Sequence, residues 1–285
     1  MSAKVTPELI KTLRSRTGVG VGKCKEALEI SGGDVEGAVE HLRKAGIASA
    51  VKKETRVTHE GRIEYLDTKD SLTLVEMNAE TDFVVKNELF GAFQKEVLEE
   101  AAKSQVNELD DLLQQKQTKD PSKTIDDGRK QLISVLGENI NITKVKNWKK
   151  KPDTSFGIYS HMNGKIVTVV ELEGALNEEE FAKEIAMHVA AEAPDYLTPA
   201  DIPENIKEKE AEIAKSQLPE GKPEKVLNMI LEGKMKGFYD QVCLLNQKFI
   251  KDQALTVATL VENRAKEIGK TLKVASFIRW YVGGE

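Results

Sequence analysis

The sequence predicts an α+β protein in which short helices precede a core of two related hairpin-plus-helix halves. Three observations lead to this prediction. Apolar residues follow helical spacing over residues 1–55, and strand-like alternation begins at Gly61. An Asn163-Gly164 pair between two apolar runs then marks a second hairpin. An antiparallel helical hairpin, residues 202–238, is expected to be inserted in the second half.

The first 55 residues are predicted to form a three-helix N-terminal module. Thr6 can cap the first helix with Pro7 at its opening position. A turn around Thr17–Gly20 leads to a second helix, and Asp34 can cap the third. Helices this short bury little apolar surface, so we expect an independently mobile module, with residues 48–58 as its tether.

The first half of the core is assigned to residues 56–152. Its predicted hairpin joins a strand at Arg62–Leu66 to a strand at Leu72–Met77, followed by a helix over about Glu88–Ala102. A short helix and a loop are expected over Ser104–Lys123. Apolar spacing from Ile125 predicts a further helix, which Gly137 ends.

The second half is assigned to residues 153–201 and 239–285. Asn163-Gly164 suits a type I′ turn, and a helix is predicted over about Glu178–Ala193. A last helix over Val257–Ile268 should lead to a strand that returns to this hairpin's sheet. In the inserted hairpin, the Pro- and Gly-containing stretch 219–223 makes the bend, and both arms should be exposed to solvent.

The two halves resemble each other in sequence. Residues 73–77 match residues 168–172 at an offset of 95, whereas residues 93–97 match 181–185 at an offset of 88. The first half therefore carries seven extra residues between its strand and its helix. A loop that packing does not require is a candidate for function.

Composition restricts the classes of function. The chain is 40% hydrophobic and 31% charged, with a net charge of −5 and two cysteines, which fits a cytoplasmic protein in a reducing environment. The acidic balance argues against nucleic acid as the main partner. The first residues do not form a signal-peptide core, and no apolar run approaches the ~20 residues of a spanning helix. We therefore expect no membrane association.

Motifs for catalysis, cofactors and metals are not recognised. The Gly-rich stretch Gly18–Cys24 lacks the first glycine and the hydroxyl residue of a phosphate-binding loop, so a turn between helices is favoured over nucleotide binding. The four histidines do not have metal-ligand spacing. His188 is expected to be buried and hydrogen-bonded, and His161, near a hairpin tip, contacts either a partner or solvent. The prediction is a protein that is not an enzyme and needs no cofactor.

Two segments leave alternatives open. The lysine-rich run 144–151 surrounds Trp148, an arrangement that could hold single-stranded RNA, although a solvated strand end is favoured. In the extra loop, Phe83 and Val84 could drop into the core. Alternatively, Phe83 beside Asp82 forms an exposed aromatic wedge that could enter a partner's metal-phosphate site.

Five motifs resemble the elongation factor Ts family, and together they span nearly the whole chain. The two long ones are Leu13–Leu28 (LRSRTGVGVGKCKEAL) and Glu76–Lys86 (EMNAETDFVVK). The three shorter ones are Gly137–Asn141, Ala186–Ala191 and Phe277–Arg279. Each long motif is specific to this family, and the presence of both in this order argues strongly against a match by chance.

The resemblance implies a guanine-nucleotide exchange factor for elongation factor Tu, which it would bind in GDP-bound and nucleotide-free forms. It implies that the N-terminal module is similar to ubiquitin-associated domains and that a Thr-Asp-Phe-Val turn disturbs the partner's magnesium site. By matching position, that turn is Thr81, Asp82, Phe83 and Val84. Further partner contacts implied in the same way are Arg14, Val21, Lys25, His161 and Ile250.

Departures from the family pattern are also visible. Gly22-Lys23 stands where many members have a larger apolar residue followed by an acidic one, and Val85 replaces a small residue. Glu285 follows soon after the last predicted strand, so contacts made by a C-terminal extension are not expected. The rival hypothesis is an RNA-binding protein of translation or replication that uses the lysine-rich run.

Overall fold

A computed structural model describes residues 5–284 and divides them into two compact units. The first unit contains the described residues up to Lys150, together with 163–165 and the end of the chain from Tyr281. The second contains Lys151–Met162 and Ile166–Trp280. Helices and strands are both abundant, as the α+β prediction requires.

The N-terminal residues form the three predicted helices. They are α1 (Pro7–Thr17), α2 (Val21–Ile30) and α3 (Val35–Val51). Thr6 caps α1 through its side chain, and Gly18 ends it with a φ of 68°, a left-handed conformation that favours glycine. Gly18–Gly20 thus form a turn between helices, as predicted, whereas the rest of the Gly-rich stretch, from Val21, belongs to α2. Leu13, Cys24 and Leu28 are buried in the small core of these helices.

The predicted tether is wrong in its first part. Residues 48–51 belong to α3, and Ala50 is fully buried in the core of the first half. Gly46, also on α3, lies against Ser134, where an added Cβ would come within 3.0 Å of the serine side chain. The end of α3 thus packs on a core helix, and the structure does not support an independently mobile module.

The first half consists of a three-stranded sheet and its helices, in the order β1-β2-β3 across the sheet. The hairpin strands pair antiparallel, with Glu60 opposite Ala79. The sequence predicted the hairpin and the helices but only the basic end of the third strand. The elements are β1 (Glu60–Asp67), β2 (Ser71–Ala79), α4 (Asp82–Val85), α5 (Glu88–Ser104), α6 (Leu109–Gln114), α7 (Ile125–Leu136) and β3 (Ile140–Lys149).

The second half has a sheet of the same order, with the hairpin strands followed by the last strand of the chain, as predicted. A small two-stranded sheet, β6 and β7, was not predicted. The elements are β4 (Thr154–His161), β5 (Ile166–Glu173), α8 (Glu179–Glu192), a 3₁₀ turn (Pro199–Asp201), α9 (Glu204–Ser216), α10 (Glu224–Val242), β6 (Lys248–Phe249), β7 (Asp252–Thr256), α11 (Val257–Ile268) and β8 (Lys273–Tyr281).

The hairpin between β4 and β5 has a wider loop than predicted. Asn163 and Gly164 have φ values of 55° and 81°, as a type I′ turn requires, but Met162 also has a positive φ of 49°. The last strand pair is therefore His161 opposite Ile166. Because Met162 leaves the extended conformation, the strands end one residue earlier on each side.

The inserted helical hairpin is present, and its second arm is longer than predicted. Helices α9 and α10 pack on each other, and α10 continues to Val242. Ala214 is the one buried residue of α9, and α10 has none. The hairpin is therefore largely exposed, as its narrow apolar face predicted.

In each half the hairpin precedes the helices and the third strand of the sheet comes last, and the seven extra residues of the first half can now be located. Three lie in the connection after β2, which is residues 80–87, against 174–178 after β5. Three more lengthen the start of α5 relative to α8, and one lengthens β2. The insertion is therefore a helical turn flanked by longer elements.

Candidate functional site

The extra connection of the first half is a single helical turn. Helix α4 is only four residues long, and its cap residue, Thr81, makes no side-chain capping bond. The amides of Val85 and Lys86 donate to the carbonyls of Thr81 and Asp82 at 3.3 and 3.0 Å. Asn87 then caps the following helix, α5, through its side chain.

The turn presents Phe83 to solvent. Its side chain is 82% exposed, whereas Val84 and Val85 are each 8% exposed and pack in the core of the first half. Of the two alternatives for this loop, exposure is correct for Phe83 and core burial is correct for Val84. Val84 therefore anchors the turn and is not available to a partner, while Val85 adds a second anchor beside it.

Asp82 is held by an ion pair within the turn. Its carboxylate lies 2.6 Å from the Lys86 ammonium, one helical turn further along the chain. The hydrogen bond from Lys86 holds the pKa of Asp82 below its ordinary value. Asp82 thus remains ionised beside Phe83, and the exposed end of the turn combines an aromatic ring with a negative charge.

Residues distant in sequence fix the start of this turn, and they were not predicted as part of the site. The Glu138 carboxylate accepts hydrogen bonds from the Thr81 amide at 3.0 Å and from the Thr81 hydroxyl at 2.7 Å. Glu80 in turn accepts from the amide of Asn139 at 2.7 Å. Glu138 and Asn139 lie in the family motif Gly137–Asn141, which marked them as residues of interest. The sequence does not show that this motif contacts Thr81.

Three further candidates lie on the N-terminal helices and are exposed. Arg14 is on α1, while Val21 and Lys25 are on α2, and the Val21 side chain is 51% exposed. The Lys25 ammonium lies 3.7 Å from Glu29 on the same helix. Exposed pairs of this kind contribute little to stability, so Lys25 can exchange its partner at small cost.

Ile250, a candidate of the second unit, is held in place by a hydrogen bond to a buried histidine. His188, on α8, is fully buried, as predicted. Its Nδ1 accepts a hydrogen bond from the Ile250 amide at 3.3 Å, so the ring proton is on Nε2, which donates to Gln247 at 3.0 Å. His188 thereby holds the turn between β6 and β7 on which Ile250 lies half-buried.

Burial makes the stability of this network dependent on pH. Desolvation lowers the pKa of His188 below 6.5, against smaller raising effects of the Gln247 hydrogen bond and the Glu192 charge. In the range between the lower folded-state pKa and the unfolded value of about 6.5, the unfolded state binds more protons, so stability falls as pH decreases. Protonation also removes the acceptor for the Ile250 amide.

We therefore expect the stability advantage of the parent protein over His188→Gln to shrink as pH falls from 7.5 to 5.5. Urea unfolding of both proteins at several pH values measures this difference. His161→Gln, which replaces an exposed histidine, is the matched control. A His188→Gln difference that is constant with pH would contradict the expectation.

His161 lies at the end of β4 and is exposed. Its Nδ1 is 3.0 Å from the Tyr159 hydroxyl, and the two rings are tilted with centroids 5.8 Å apart. The neighbouring Met162 is 67% exposed. The hairpin tip thus presents an imidazole and a thioether together, a combination that suits a protein contact.

For the lysine-rich run, the structure favours a solvated strand end over an RNA-binding surface. Lys150 lies 2.5 Å from Asp67, Lys151 lies 2.9 Å from Glu173, and Lys144 lies 3.6 Å from the buried Glu76. The Lys146 ammonium lies 5.9 Å from the Trp148 ring centroid. Because carboxylates already neutralise three of these lysines, the run offers less positive charge to RNA than its sequence suggests.

The exposed turn carries an aromatic ring and a carboxylate. Within residues 5–284, no three or more metal-ligating side chains are grouped as a metal site would need, and none of the helices is long and apolar enough to cross a bilayer. The turn offers Phe83 and Asp82, with Leu89, 49% exposed, in the next helix. Phenylalanine is among the aromatic residues that are enriched in the cores of protein–protein interfaces relative to the rest of the protein surface.

Comparison with known proteins gives consistent results. A family profile described as "Elongation factor TS" matches residues 80–284. Elongation factor Ts of Protochlamydia amoebophila is 53% identical over 281 residues, covering 99% of both chains. Those of Chlamydia muridarum and Chlamydia caviae are 42% and 43% identical over 276 residues, covering 97% of this chain and 98% of theirs.

Proposed function

The chain belongs to the elongation factor Ts family and is thus a translation elongation factor, and we propose that it is the guanine-nucleotide exchange factor of elongation factor Tu. The exposure of Phe83 beside an ionised Asp82 carries this proposal. A wedge of this kind can enter the magnesium site of a GTPase and displace the loops around it. We place this exchange in the cytoplasm. The protein itself performs no covalent chemistry.

The mechanism is a loss of nucleotide affinity. Magnesium bridges the phosphates of the bound nucleotide and holds the surrounding loops of the GTPase, so displacing those loops weakens GDP binding. Thermodynamic linkage makes the effect reciprocal, because bound GDP must weaken the binding of the exchange factor by the same ratio. The factor therefore binds most tightly to nucleotide-free elongation factor Tu.

We assign the remaining candidate residues to the affinity for elongation factor Tu and not to the release of GDP. Arg14, Val21 and Lys25 on the N-terminal helices, and His161 and Ile250 in the second unit, would hold the partner while Phe83 acts. Point variants are the suitable test of the N-terminal contacts. Removing residues 1–54 would also remove Ala50 from the core of the first half, and it would confuse lost binding with lost stability.

The release of a fluorescent GDP analogue from elongation factor Tu, with and without this protein, tests the proposal. We expect release to accelerate and to saturate with protein concentration. Arg14→Ala and Lys25→Ala should raise the half-saturating concentration and change the saturated rate less. An unchanged release rate, together with tight binding of single-stranded RNA, would replace the proposal with the RNA-binding alternative.

A further inference from the structure

Two neighbouring residue pairs in the first unit exchange hydrogen bonds in both directions. The Thr81 amide and hydroxyl donate to the Glu138 carboxylate, and the Asn139 amide donates to the Glu80 carboxylate. Each of the two segments, 80–81 and 138–139, therefore supplies a backbone donor and a side-chain acceptor. We call the four residues Glu80, Thr81, Glu138 and Asn139 the reciprocal clamp.

The clamp also contacts the segment that follows α3. The Asn139 side chain, which is fully buried, donates to the carbonyl of Arg56 at 2.8 Å. The Arg56 guanidinium donates to Glu80 at 3.3 Å. Charge-assisted bonds to a carboxylate are roughly twice as strong as neutral ones, and here they join three segments that are distant in sequence.

The turn that bears Phe83 needs such support. An isolated helix of four residues is unstable because nucleation fixes several residues for very few hydrogen bonds, and α4 lacks a side-chain cap. Val84 and Val85 secure one face of the turn through burial. The bonds from Thr81 to Glu138 secure its beginning, and without them the turn can sample conformations in which Phe83 points elsewhere.

We propose that Glu138 is a positioning residue for nucleotide exchange, which fixes the 81–87 turn so that Phe83 is presented before the partner arrives. This inference rests on the proposed function. The other partner contacts bind whether or not the turn is formed, so the half-saturating concentration depends little on it. The fraction of complexes in which the turn is formed then sets the saturated rate. Both carboxylate oxygens of Glu138 accept hydrogen bonds from Thr81, so its effect passes through the conformation of the turn.

The test compares Glu138→Ala and Glu138→Gln with a matched control, Glu100→Ala. Glu100 lies on α5 in the first unit and accepts a hydrogen bond from the Thr118 amide at 2.7 Å. It is buried, whereas Glu138 is half-buried. It thus secures a different loop by the same kind of bond. The readouts are the saturated rate of GDP release, its half-saturating concentration, the melting temperature and amide hydrogen exchange over residues 80–87.

We expect Glu138→Ala to lower the saturated rate about tenfold, to change the half-saturating concentration less than about twofold, and to speed hydrogen exchange of the turn at least about tenfold. Glu138→Gln retains one acceptor oxygen and should recover part of the rate. Glu100→Ala should lower the melting temperature by a similar amount and leave the rate and the exchange of residues 80–87 unchanged.

Three results would overturn the inference. These are an unchanged saturated rate in Glu138→Ala, unchanged hydrogen exchange of the turn, or an equal loss of rate in Glu100→Ala. Each differs from a failure of the proposed function, in which the parent protein itself would not accelerate GDP release. In that case the role of the clamp in exchange fails as well.

Discussion

Replacing Phe83 with alanine is expected to slow GDP release from elongation factor Tu by on the order of tenfold, or ~1.4 kcal/mol of barrier. The physical reason is that the contacts of this side chain form in the complex, since it is 82% exposed in the free protein. For the same reason, truncation leaves no cavity, and the free energy of unfolding should change by less than about 1 kcal/mol. Stopped-flow release and a thermal melt on one sample measure both effects.

Phe90 provides the control for this experiment, because it lies seven residues further along and is fully buried. Phe90→Ala should cost about 3–5 kcal/mol of stability, as truncations of core phenylalanines do. Asp82→Ala should slow release more mildly than Phe83→Ala, since the turn can keep its shape without that carboxylate. A large loss of stability in Phe83→Ala, or unchanged GDP release, would remove Phe83 from the mechanism.

Gly157→Ala is expected to destabilise the second unit by about 3 kcal/mol or more, and to lower the melting temperature by about 10 °C. Gly157 lies on β4 where helix α8 crosses it. An added Cβ would lie 2.0 Å from the Ala182 carbonyl carbon and 2.2 Å from the Lys183 nitrogen. These are backbone atoms, so the contact is relieved only if the whole helix moves away from the sheet.

Gly233→Ala, in the same unit, is the matched control. Gly233 is exposed on α10, and an added Cβ would meet no atom within 4 Å. Alanine favours an exposed helix by roughly 0.5–1 kcal/mol over glycine, so this variant should be unchanged or slightly more stable. Thermal and urea unfolding compare the two variants. Similar melting temperatures for both would show that α8 accommodates the extra methyl group without the expected cost.

Local patterns in the sequence were sufficient for most helices and for both hairpins. Thr6 before Pro7 predicted the start of α1, and Gly137 predicted the end of α7, where the structure shows a left-handed φ of 86°. These signals depend on residues within one turn of each other. Where an element lacked them, the prediction was incomplete, as for β3, whose alternation of buried and less buried residues is interrupted at Thr143, where the register with β2 shifts.

The candidate turn shows the limit of such patterns. Four residues are too few for helical periodicity to reveal which face is buried, so the sequence left Phe83 and Val84 as equal candidates for the core. The family resemblance assigned Asp82 and Phe83 to an exposed wedge but did not assign an orientation to Val84 or Val85. The structure assigns them by packing, since Val84 and Val85 complete the first core and Phe83 is left outside.

The sequence by itself determined the fold class, the family and the identity of the exposed turn, because capping residues, apolar spacing and contiguous motifs are local properties of the chain. The tertiary structure alone decided that Val84 and Val85 pack in the core, that α3 packs on α7, and that Glu138 holds Thr81 across 57 residues of sequence. These contacts form when folding brings distant segments together, and a hydrogen bond between distant residues leaves no periodic trace in the sequence.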